Sequence, residues 1–446
     1  MSIALIVLAA GKGTRMRSDL PKVLHELAGA PLLSHAMAAG EALGPERTVV
    51  VAGHGADLVR IAAEAEAPNA TVVIQEEQLG TGHAVGMARK ALDGFEGDAL
   101  VLYGDTPFIR PATLERMVEA RGDADIVVLG FEAADPGRYG RLVTEGDRLL
   151  RIVEAKDASE AELRIGLCNS GVVLAPAPLL MDLVASLSNE NASGEYYLTD
   201  IVGLANERGL RAAVTRCDED ETLGINSRAE LAAAESVFQR AARARLLEEG
   251  ITLMAPETVF LSRDTHLGRD VVVEPNVVFG PGVTVETGAR IRAFCHLESC
   301  HVGAGCTVGP YARLRPGAEL GNGAKVGNFI EIKNARIGEG AKVPHLSYVG
   351  DAEVGDAANL GAGTVTCNYD GVSKHRTVIG ERAFVGSSTM LVAPVSVGSD
   401  TVIGSGSVIT EDVPDGDLAI GRGRQVNKPG LGAKLMAKLR QAKETR

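Results

Sequence analysis

The N-terminal half of the chain alternates short, continuous apolar runs with amphipathic stretches. The apolar runs predict strands over residues 3–10, 48–52, 71–75, 99–103, 126–130 and 170–174. The stretches between them predict helices over residues 32–43, 82–92 and 112–120. Continuous apolar runs are typical of strands covered on both faces, and their alternation with helices indicates a doubly wound, Rossmann-like α/β domain. Such a domain binds its ligands at the carboxyl ends of its strands.

A long helix is predicted to follow this domain. Residues 227–249 contain neither glycine nor proline and are rich in Ala, Leu, Glu and Arg, which favour helices. We therefore expect residues 1–226 to form a first domain, residues 227–249 a connector helix, and residues 250–446 a second domain.

An apolar residue recurs at every sixth position through most of the C-terminal half, with slips of one residue and one insertion. The series comprises Leu261, Leu267, Val273, Phe279, Val285, Ile291, Leu297, Val302, Val308, Leu314, Leu320, Val326, Ile332, Ile337, Val343, Val349, Val354, Leu360, Ile379, Val385, Leu391, Val397, Ile403 and Ile409. This period is typical of a parallel β-helix with about six residues on each of three faces. The recurring residue is expected to point inward, with small residues such as Cys306 beside it.

Composition fits a narrow β-helix and limits the possible functions. The chain has 53 glycines, no tryptophan and only 4% aromatic residues. Its formal net charge of −13 argues against a general nucleic-acid binder, which is usually basic. No apolar run reaches the length of a membrane span, and the N-terminus lacks the features of a signal peptide. None of the 6 cysteines forms a C-x-x-C pair, so we expect buried thiols and a cytoplasmic protein.

A glycine-rich loop follows the first predicted strand, in the stretch VLAAGKGTRMRSDLPKVL at residues 7–24. A Walker loop would need glycine at Ile6 and a hydroxyl residue at Gly13, and a dinucleotide fingerprint would need glycine at Met16. Both interpretations fail. What remains is a loop whose freed backbone N–H groups and basic side chains could bind phosphates. A solvated surface turn is the alternative.

The loop LAAGKGTRMRSDLPKVL resembles the signature of sugar-phosphate nucleotidyltransferases. Further motifs of that family follow in order, namely QEEQLGTGHAV, YGDTP, YGRLV, VEAKDA, NSG and GINSRAEL. With the hexapeptide repeats, nearly the whole chain resembles the bacterial bifunctional N-acetylglucosamine-1-phosphate uridylyltransferase and glucosamine-1-phosphate acetyltransferase family. The resemblance implies a left-handed β-helix and a homotrimer. It also implies that glucosamine 1-phosphate is acetylated by acetyl-CoA and that the product then receives a uridylyl group from UTP.

In the first domain the resemblance implies a UTP site, a sugar site and Mg²⁺. Asp105 directly follows an apolar strand, where a metal ligand is expected, and Asn226 would be its partner. From the residues alone, Asn226 could equally cap the connector helix. The amide of Gln75 suits discrimination of uracil from cytosine, and Lys22 would neutralise phosphate charge. The implied contacts with UTP and the sugar are Leu8, Ala9, Ala10, Gly11, Lys22, Gln75, Gly80, Thr81, Tyr103, Gly104, Asp105, Gly140, Glu154, Asn169 and Asn226.

In the second domain His345 and an insertion between Leu360 and Ile379 interrupt the repeat. A histidine titrates in the range needed to take a proton from a sugar amine, so we expect His345 to be the general base, with Glu331 orienting it. The backbone N–H of Ala362 is a candidate oxyanion donor. The resemblance implies sugar, phosphate and acetyl-CoA contacts at Arg315, Lys333, Tyr348, Asn359, Asn368, Tyr369, Ser387, Ser405 and Arg422.

Two alternatives stay open at this point. One is a nucleotidyltransferase whose β-helix serves only assembly or regulation. The other is a non-catalytic trimeric scaffold. His345 and the insertion argue against the first, because a spacer needs neither, and Lys22, Asp105 and Asn226 argue against the second.

Overall fold

A computed structural model describes residues 2–444 of the chain. It divides into two compact units, Met1–Ala241 and Ala242–Arg446, and the division lies within the predicted connector helix. Among the described residues, no helix is both long enough and apolar enough to cross a membrane.

The first unit contains a mixed sheet with helices on both faces. The strands of this unit are β1 (Ile3–Ala9), β2 (Glu26–Leu27), β3 (Ala30–Pro31), β4 (Arg47–Ala52), β5 (Thr71–Ile74), β6 (Asp98–Tyr103), β7 (Ile126–Glu132), β8 (Arg141–Glu145), β9 (Arg148–Val153), β10 (Leu167–Pro176) and β11 (Ala212–Cys217). Strands β2 and β3 pair with each other in a separate two-stranded sheet. Its helices are α1 (Leu32–Glu41), α2 (Ala56–Glu66), α3 (Thr81–Gly86), α4 (Pro111–Ala120), α5 (Ala177–Ala185) and α6 (Ile201–Glu207). Helix α7 (Arg228–Glu248) follows.

The sheet order is β5-β4-β1-β6-β10-β7-β11-β9-β8. Strands β5, β4, β1 and β6 are parallel, whereas β10 runs antiparallel to β6 and β7. Alternate residues of β1 enter two cores: Ile6 packs with α3, α5 and α6, and Leu5 packs with α1, α2 and α4. These two cores confirm the doubly wound prediction. The helix predicted over residues 82–92 is instead α3 followed by a 3-10 helix, Arg89–Leu92.

The second unit is built from short strands. They are β12 (Thr252–Leu253), β13 (His266–Leu267), β14 (Val272–Val273), β15 (Val278–Phe279), β16 (Val283–Val285), β17 (Arg290–Ile291), β18 (His296–Leu297), β19 (Cys300–Val302), β20 (Thr307–Val308), β21 (Arg313–Leu314), β22 (Ala318–Leu320), β23 (Lys325–Asn328), β24 (Glu331–Ile337), β25 (Lys342–His345), β26 (Tyr348–Val354), β27 (Asn359–Leu360), β28 (Val365–Cys367), β29 (Thr377–Ile379), β30 (Phe384–Val385), β31 (Met390–Val392), β32 (Val395–Val397), β33 (Val402–Ile403), β34 (Val408–Ile409) and β35 (Leu418–Ala419). Helix α8 (Leu431–Glu444) lies near the C-terminus.

The described strands of the second unit pair in parallel along three faces. One face runs from β12 to β35, and the longer strands β24 and β26 bend around a corner to join the other two. Every residue of the predicted six-residue series is buried, the most exposed being Ile409 at 5%. The left-handed parallel β-helix predicted above is therefore the fold of this unit.

Small and polar residues fill the space beside the aliphatic stack. Cys295, Cys300 and Cys306 are buried in the β-helix, as predicted. The expectation of buried thiols is wrong for Cys217 and Cys367, which are only partly buried. Burial raises the pKa of the Cys295 thiol to about 11. All 6 cysteines lie in the described part of the chain and are free thiols. Thr366 takes an inward position in β28, between Leu360 and Ile379, where its hydroxyl donates to the carbonyl of Gly350.

Candidate active sites

A cavity of about 310 Å³ opens at the carboxyl ends of the first unit's parallel strands. It is lined by Leu8, Ala10, Gly11, Lys22, Val23, Gln75, Gln78, Gly80, Thr81, Ala84, Tyr103, Asp105 and Glu195. Nine of these residues were named from the sequence, and four were not: Val23, Gln78, Ala84 and Glu195. Ala9 is buried within β1, and the backbone N–H of Gly104 donates to the Leu8 carbonyl at 3.0 Å.

Lys22 joins the two residues predicted to hold a metal. Its Nζ donates to Oδ1 of Asn226 at 2.9 Å and also to the carboxylate of Asp105. Gly13 allows this approach, because it has a φ of +60° and a Cβ on it would lie 2.5 Å from Cβ of Lys22. The two side-chain oxygens thus converge on one cationic group. Such an arrangement of carboxylate and amide oxygens fits a hard divalent cation.

The Gln75 side chain lies at the edge of this cavity and is only 4% exposed as a residue. Its Nε2 donates to the carbonyl of Gly80 at 3.2 Å and to Nδ1 of His83 at 2.9 Å. Nearby, Nε2 of Gln78 donates to the carbonyl of Ala10 in the glycine-rich loop. Gln78 belongs to the motif QEEQLGTGHAV, but nothing in the sequence indicated that Gln78, and not Gln75, would contact the loop.

Tyr103 connects the nucleotide side of the cavity with the predicted sugar contacts. Burial raises the pKa of its phenol well above the usual range, against an opposing hydrogen bond with Thr81. Glu154, Gly140 and Asn169 lie together. The N–H of Asn169 donates to the Gly140 carbonyl at 2.8 Å, and Oε1 of Glu154 lies 3.6 Å from the Cβ position of Gly140.

Glu154 is destabilised in its charged form by its surroundings. Burial raises the pKa of its carboxyl, while a hydrogen bond from the Thr199 hydroxyl, 3.2 Å from Oε1, opposes the shift. Since the folded-state pKa is above the unfolded value, the contribution of Glu154 to the free energy of unfolding is greatest at low pH. It falls as pH rises from the unfolded value through the folded one.

Glu154→Gln should therefore raise the free energy of unfolding at pH 7.5, because it removes a partly buried charge. The advantage should shrink at pH 4, where Glu154 is increasingly protonated in both states. Urea denaturation at the two pH values measures the difference in the free energy of unfolding between the variant and the original chain. Glu160→Gln, at an exposed acid nearby, is the control. An equal advantage at both pH values, or none at pH 7.5, would contradict this explanation.

In the second unit, His345 is exposed at the end of β25. Its Nδ1 lies 2.6 Å from Oδ1 of Asn328, one coil earlier. An amide oxygen only accepts, so Nδ1 carries the proton and Nε2 is free to act as a base. The expected contact with Glu331 is not formed: Glu331 instead accepts a hydrogen bond from Nη1 of Arg315 at 2.7 Å. The prediction that Glu331 orients His345 is therefore corrected to Asn328.

The predicted acetyl-CoA contacts form a column above His345. The carbonyls of His345, Ala362 and Ser387 each accept a hydrogen bond from the backbone of the next coil. Consequently Ala362, Ser387 and Ser405 occupy successive coils, separated by the strand spacing of about 4.8 Å. Arg422 lies beside the top of this column. Its Cδ is 3.9 Å from the point where a Cβ on Gly406, the residue after Ser405, would lie.

A polar cluster lies around Tyr348 on the neighbouring face. Nδ2 of Asn368 donates to the Tyr348 hydroxyl at 3.4 Å and to the carboxylate of Asp351. Partial burial of Asp351 is outweighed by hydrogen bonds from two asparagines and by nearby lysine charges, so the pKa of its carboxyl is lowered. Lys333 lowers the pKa of Lys374, first through a side-chain hydrogen bond and then through its charge. Lys374, which the sequence analysis did not name, thus adds a second cation beside a predicted phosphate contact.

Two further predicted residues lie apart from these groups. Asn359 is half-buried in β27, where it pairs with Lys342. Tyr369 is exposed within the insertion, and its hydroxyl donates to the Gly371 carbonyl at 2.6 Å.

A corner of the β-helix separates the His345 column from the Tyr348 cluster. Exposed apolar residues occupy this corner on four coils in succession, namely Phe294, Tyr311, Phe329 and Leu346, each 47–61% exposed. The rings of the first two stack at 4.8 Å, and those of the second and third at 5.2 Å. We call these four residues the corner ridge. Each has a φ between 50° and 62°, which is unusual for bulky side chains.

Comparison with known families gives the class of this protein. Residues 5–223 match the MobA-like NTP transferase domain, and residues 376–411 match the bacterial transferase hexapeptide repeats. Together with the two folds and their sites, these matches define a nucleotidyltransferase joined to a hexapeptide-repeat transferase.

Similar curated proteins give the particular family. A protein of Ruegeria sp. is 66% identical over 443 residues, which is 99% of both chains. A protein of Cereibacter sphaeroides is 65% identical over 99% of this chain and 98% of its own, and one of Dinoroseobacter shibae is 64% identical over 100% and 99%. All three are named Bifunctional protein GlmU. The chain belongs to the bifunctional GlmU family.

This membership confirms the predicted bifunctional enzyme of UDP-N-acetylglucosamine synthesis, with a nucleotidyltransferase and an acyltransferase domain. A nucleotidyltransferase with a purely structural β-helix does not fit, since the match extends over the whole chain. Nor does a non-catalytic scaffold.

Proposed function

We propose that the cavity of the first unit transfers a uridylyl group from UTP to N-acetylglucosamine 1-phosphate. A phosphate oxygen of the sugar attacks the α-phosphorus of UTP, and the bond to the β-phosphate breaks as pyrophosphate leaves. The attacking oxygen is already ionised, so the residues must position the reactants and balance their charge rather than act as a base. The convergence of Asp105 and Asn226 on Nζ of Lys22 is the main support for this proposal.

The residues around Nζ of Lys22 have separate roles in binding UTP and the metal. Lys22 and the glycine-rich loop bind the UTP phosphates, and Gln75 with the backbone at Gly80 binds uracil. Asp105 and Asn226 would hold Mg²⁺, which would neutralise phosphate charge when bound. Their oxygens fit this role because each already contacts the ammonium of Lys22.

The sugar is held on the other side of the cavity. Tyr103, Gly104, Gly140, Glu154 and Asn169 contact its hydroxyl and acetyl groups in this proposal. The hydrogen bond between Asn169 and Gly140 and the proximity of Glu154 support the grouping. The protonated Tyr103 phenol can donate a hydrogen bond there.

We propose that the second unit acetylates glucosamine 1-phosphate before the uridylyl transfer. The sugar amine attacks the thioester carbonyl of acetyl-CoA, Nε2 of His345 takes the amine proton, and the C–S bond breaks to release CoA. The N–H of Ala362 donates to the oxyanion. It makes no hydrogen bond to any described residue and lies one coil above His345. Arg315, Lys333 and Lys374 bind the sugar phosphate, and Tyr348, Asn359, Asn368 and Tyr369 lie around the sugar.

The acetyl-CoA chain would run along the column of Ser387 and Ser405 toward Arg422. Ser405 departs from the alanine that the family resemblance leads us to expect at this position. A contact made through its backbone would survive the change. This column points along the β-helix axis, which suits an extended ligand.

We also propose that the chain forms a homotrimer through the corner ridge. The His345 column and the Tyr348 cluster lie on adjoining faces of a three-sided helix, on either side of an exposed corner. A second subunit packed on this corner would enclose the space around both groups. Exposed apolar ridges of this kind mark protein interfaces.

Phe329→Glu should convert the trimer to smaller species and abolish acetyl transfer, because it places a charge in the centre of the ridge. Uridylyl transfer should continue. Analytical ultracentrifugation and the two activity assays measure this, with Leu418→Glu, an exposed residue of the last coil, as control. A trimer that persists with full acetyl transfer would contradict the assignment of the ridge.

A cytoplasmic location completes the proposal and is supported by the free thiols.

Assays of the unmodified chain test the chemistry directly. We expect pyrophosphate release from UTP plus N-acetylglucosamine 1-phosphate with Mg²⁺, and free CoA from acetyl-CoA plus glucosamine 1-phosphate. Absence of either product would contradict the corresponding half of the proposal.

A further inference from the structure

The buried amide of Gln75 is held from one side by two different partners. Both hydrogens of its Nε2 are used, one by the Gly80 carbonyl at 3.2 Å and one by Nδ1 of His83 at 2.9 Å. A carbonyl oxygen can only accept, so the Gly80 contact fixes which end of the amide is nitrogen. The other end, Oε1, makes no hydrogen bond to a described residue.

His83 has a defined protonation pattern in this arrangement. Since Nδ1 accepts from the Gln75 amide, the ring is neutral and carries its proton on Nε2. His83 is half-buried in α3, one turn from the Gly80–Thr81 edge of the cavity. It is absent from the cavity lining, so it acts through Gln75 and not by touching a ligand.

The orientation of Gln75 decides which pyrimidine fits. Since both hydrogens of Nε2 are used within the protein, Oε1 is the amide atom that Gln75 has left for a ligand in the cavity it lines. Oε1 is an acceptor, which pairs with the N3–H of uracil and repels the N3 lone pair of cytosine. A reversed amide would offer a donor and prefer cytosine. A buried polar group that is left without its partner discriminates strongly between bases.

We infer that His83 is a positioning residue that locks the Gln75 amide and thereby sets the preference for uracil over cytosine. This inference rests on the proposed uridylyl-transfer site. The Gly80 carbonyl accepts only one hydrogen of the Gln75 amide, and His83 accepts the second. A reversed amide would lose both hydrogen bonds, so the contact with His83 adds to the free-energy cost of reversal. The base selectivity then depends on an acceptor in a residue outside the cavity.

Two variants of His83 separate an acceptor from simple bulk. His83→Phe keeps a flat ring but has no acceptor. His83→Asn is smaller, yet its Oδ1 can replace Nδ1 as the acceptor. Calorimetric titration of the full-length chain with UTP and with CTP, in the presence of Mg²⁺, gives the two dissociation constants for each variant. His301→Phe, at an exposed histidine of the β-helix, is the matched control.

We expect His83→Phe to weaken UTP binding and lower the ratio of UTP to CTP affinity by about tenfold, the typical effect of one lost hydrogen bond. His83→Asn should restore the ratio to within about threefold of the original, and the CoA-releasing activity should be unchanged in both.

Three results would overturn the inference. An unchanged ratio in His83→Phe would show that the amide is locked without His83. Equal losses in His83→Asn and His83→Phe would show that bulk, and not the acceptor, matters. If the unmodified chain bound no UTP, the proposed site itself would be wrong, and this outcome differs from the first two, in which UTP still binds.

Discussion

His345→Ala should lower the rate of acetyl transfer by about 10²–10⁴-fold, the usual contribution of a general base, and leave uridylyl transfer unchanged. Nδ1 of the exposed imidazole donates to Oδ1 of Asn328 at 2.6 Å. This leaves Nε2 as the ring nitrogen that can accept a proton. Removing the ring therefore removes Nε2 as the acceptor of the amine proton. The substitution lies on the outer surface, so the β-helix core should stay intact.

CoA release measured with a thiol reagent follows this reaction, and pyrophosphate release follows the other. His301→Ala serves as the control, because it removes an exposed histidine from the same unit. If His345→Ala retained more than a tenth of the acetyl-transfer rate, the assignment of the base would be wrong. A sedimentation coefficient equal to that of the unmodified chain would exclude misassembly as the cause of any loss.

Asp105→Asn should lower the rate of uridylyl transfer by at least about a hundredfold, the scale for losing a key electrostatic contact in a transition state. The change keeps the size of the side chain but removes its charge, which the Lys22 ammonium contacts together with Asn226. Acetyl transfer should be unaffected, because its residues all lie in the other unit.

Metal binding offers a second measurement of the same change. Titration with Mn²⁺ in the presence of UTP should show weaker metal binding in Asp105→Asn, while Asp123→Asn, at an exposed acid after α4, should match the original chain. Full pyrophosphate release by Asp105→Asn would contradict the proposed metal site.

The β-helix was predictable almost residue by residue. Its inward series depends on a local six-residue period, and every member is buried, from Leu261 to Ile409. The presence of helices on both faces of the first sheet was also predictable from a local pattern. Strands such as β1 are continuous apolar runs, which indicates burial on both faces.

The strands that the sequence did not reveal are those with mixed polarity. Strands β8, β9 and β11 contain sequences such as RLVTE and AAVTRC, in which polar residues interrupt the apolar run. The antiparallel direction of β10 was also hidden, because an apolar run has no direction that periodicity could detect. Pairing across distant parts of the chain decides both.

Contacts between distant residues account for the remaining differences at the sites. Lys22 lies 83 residues from Asp105 and 204 from Asn226, and their meeting follows from the sheet order rather than from any local pattern. Asn328 lies 17 residues before His345, which is one coil, whereas Glu331 is too close in sequence to lie beneath it. The one-residue slips in the repeat determine which residues stack, so the register had to come from the structure.

The central claim is that one chain holds two independent active sites, and mixing two inactive variants tests it most directly. Neither His345→Ala nor Asp105→Asn alone should convert glucosamine 1-phosphate, acetyl-CoA and UTP into UDP-N-acetylglucosamine at an appreciable rate. The mixture should form it, because the Asp105→Asn chains release N-acetylglucosamine 1-phosphate that the His345→Ala chains then use. If the mixture stayed inactive, or if either variant alone had lost both activities, the account of two independent sites would be contradicted.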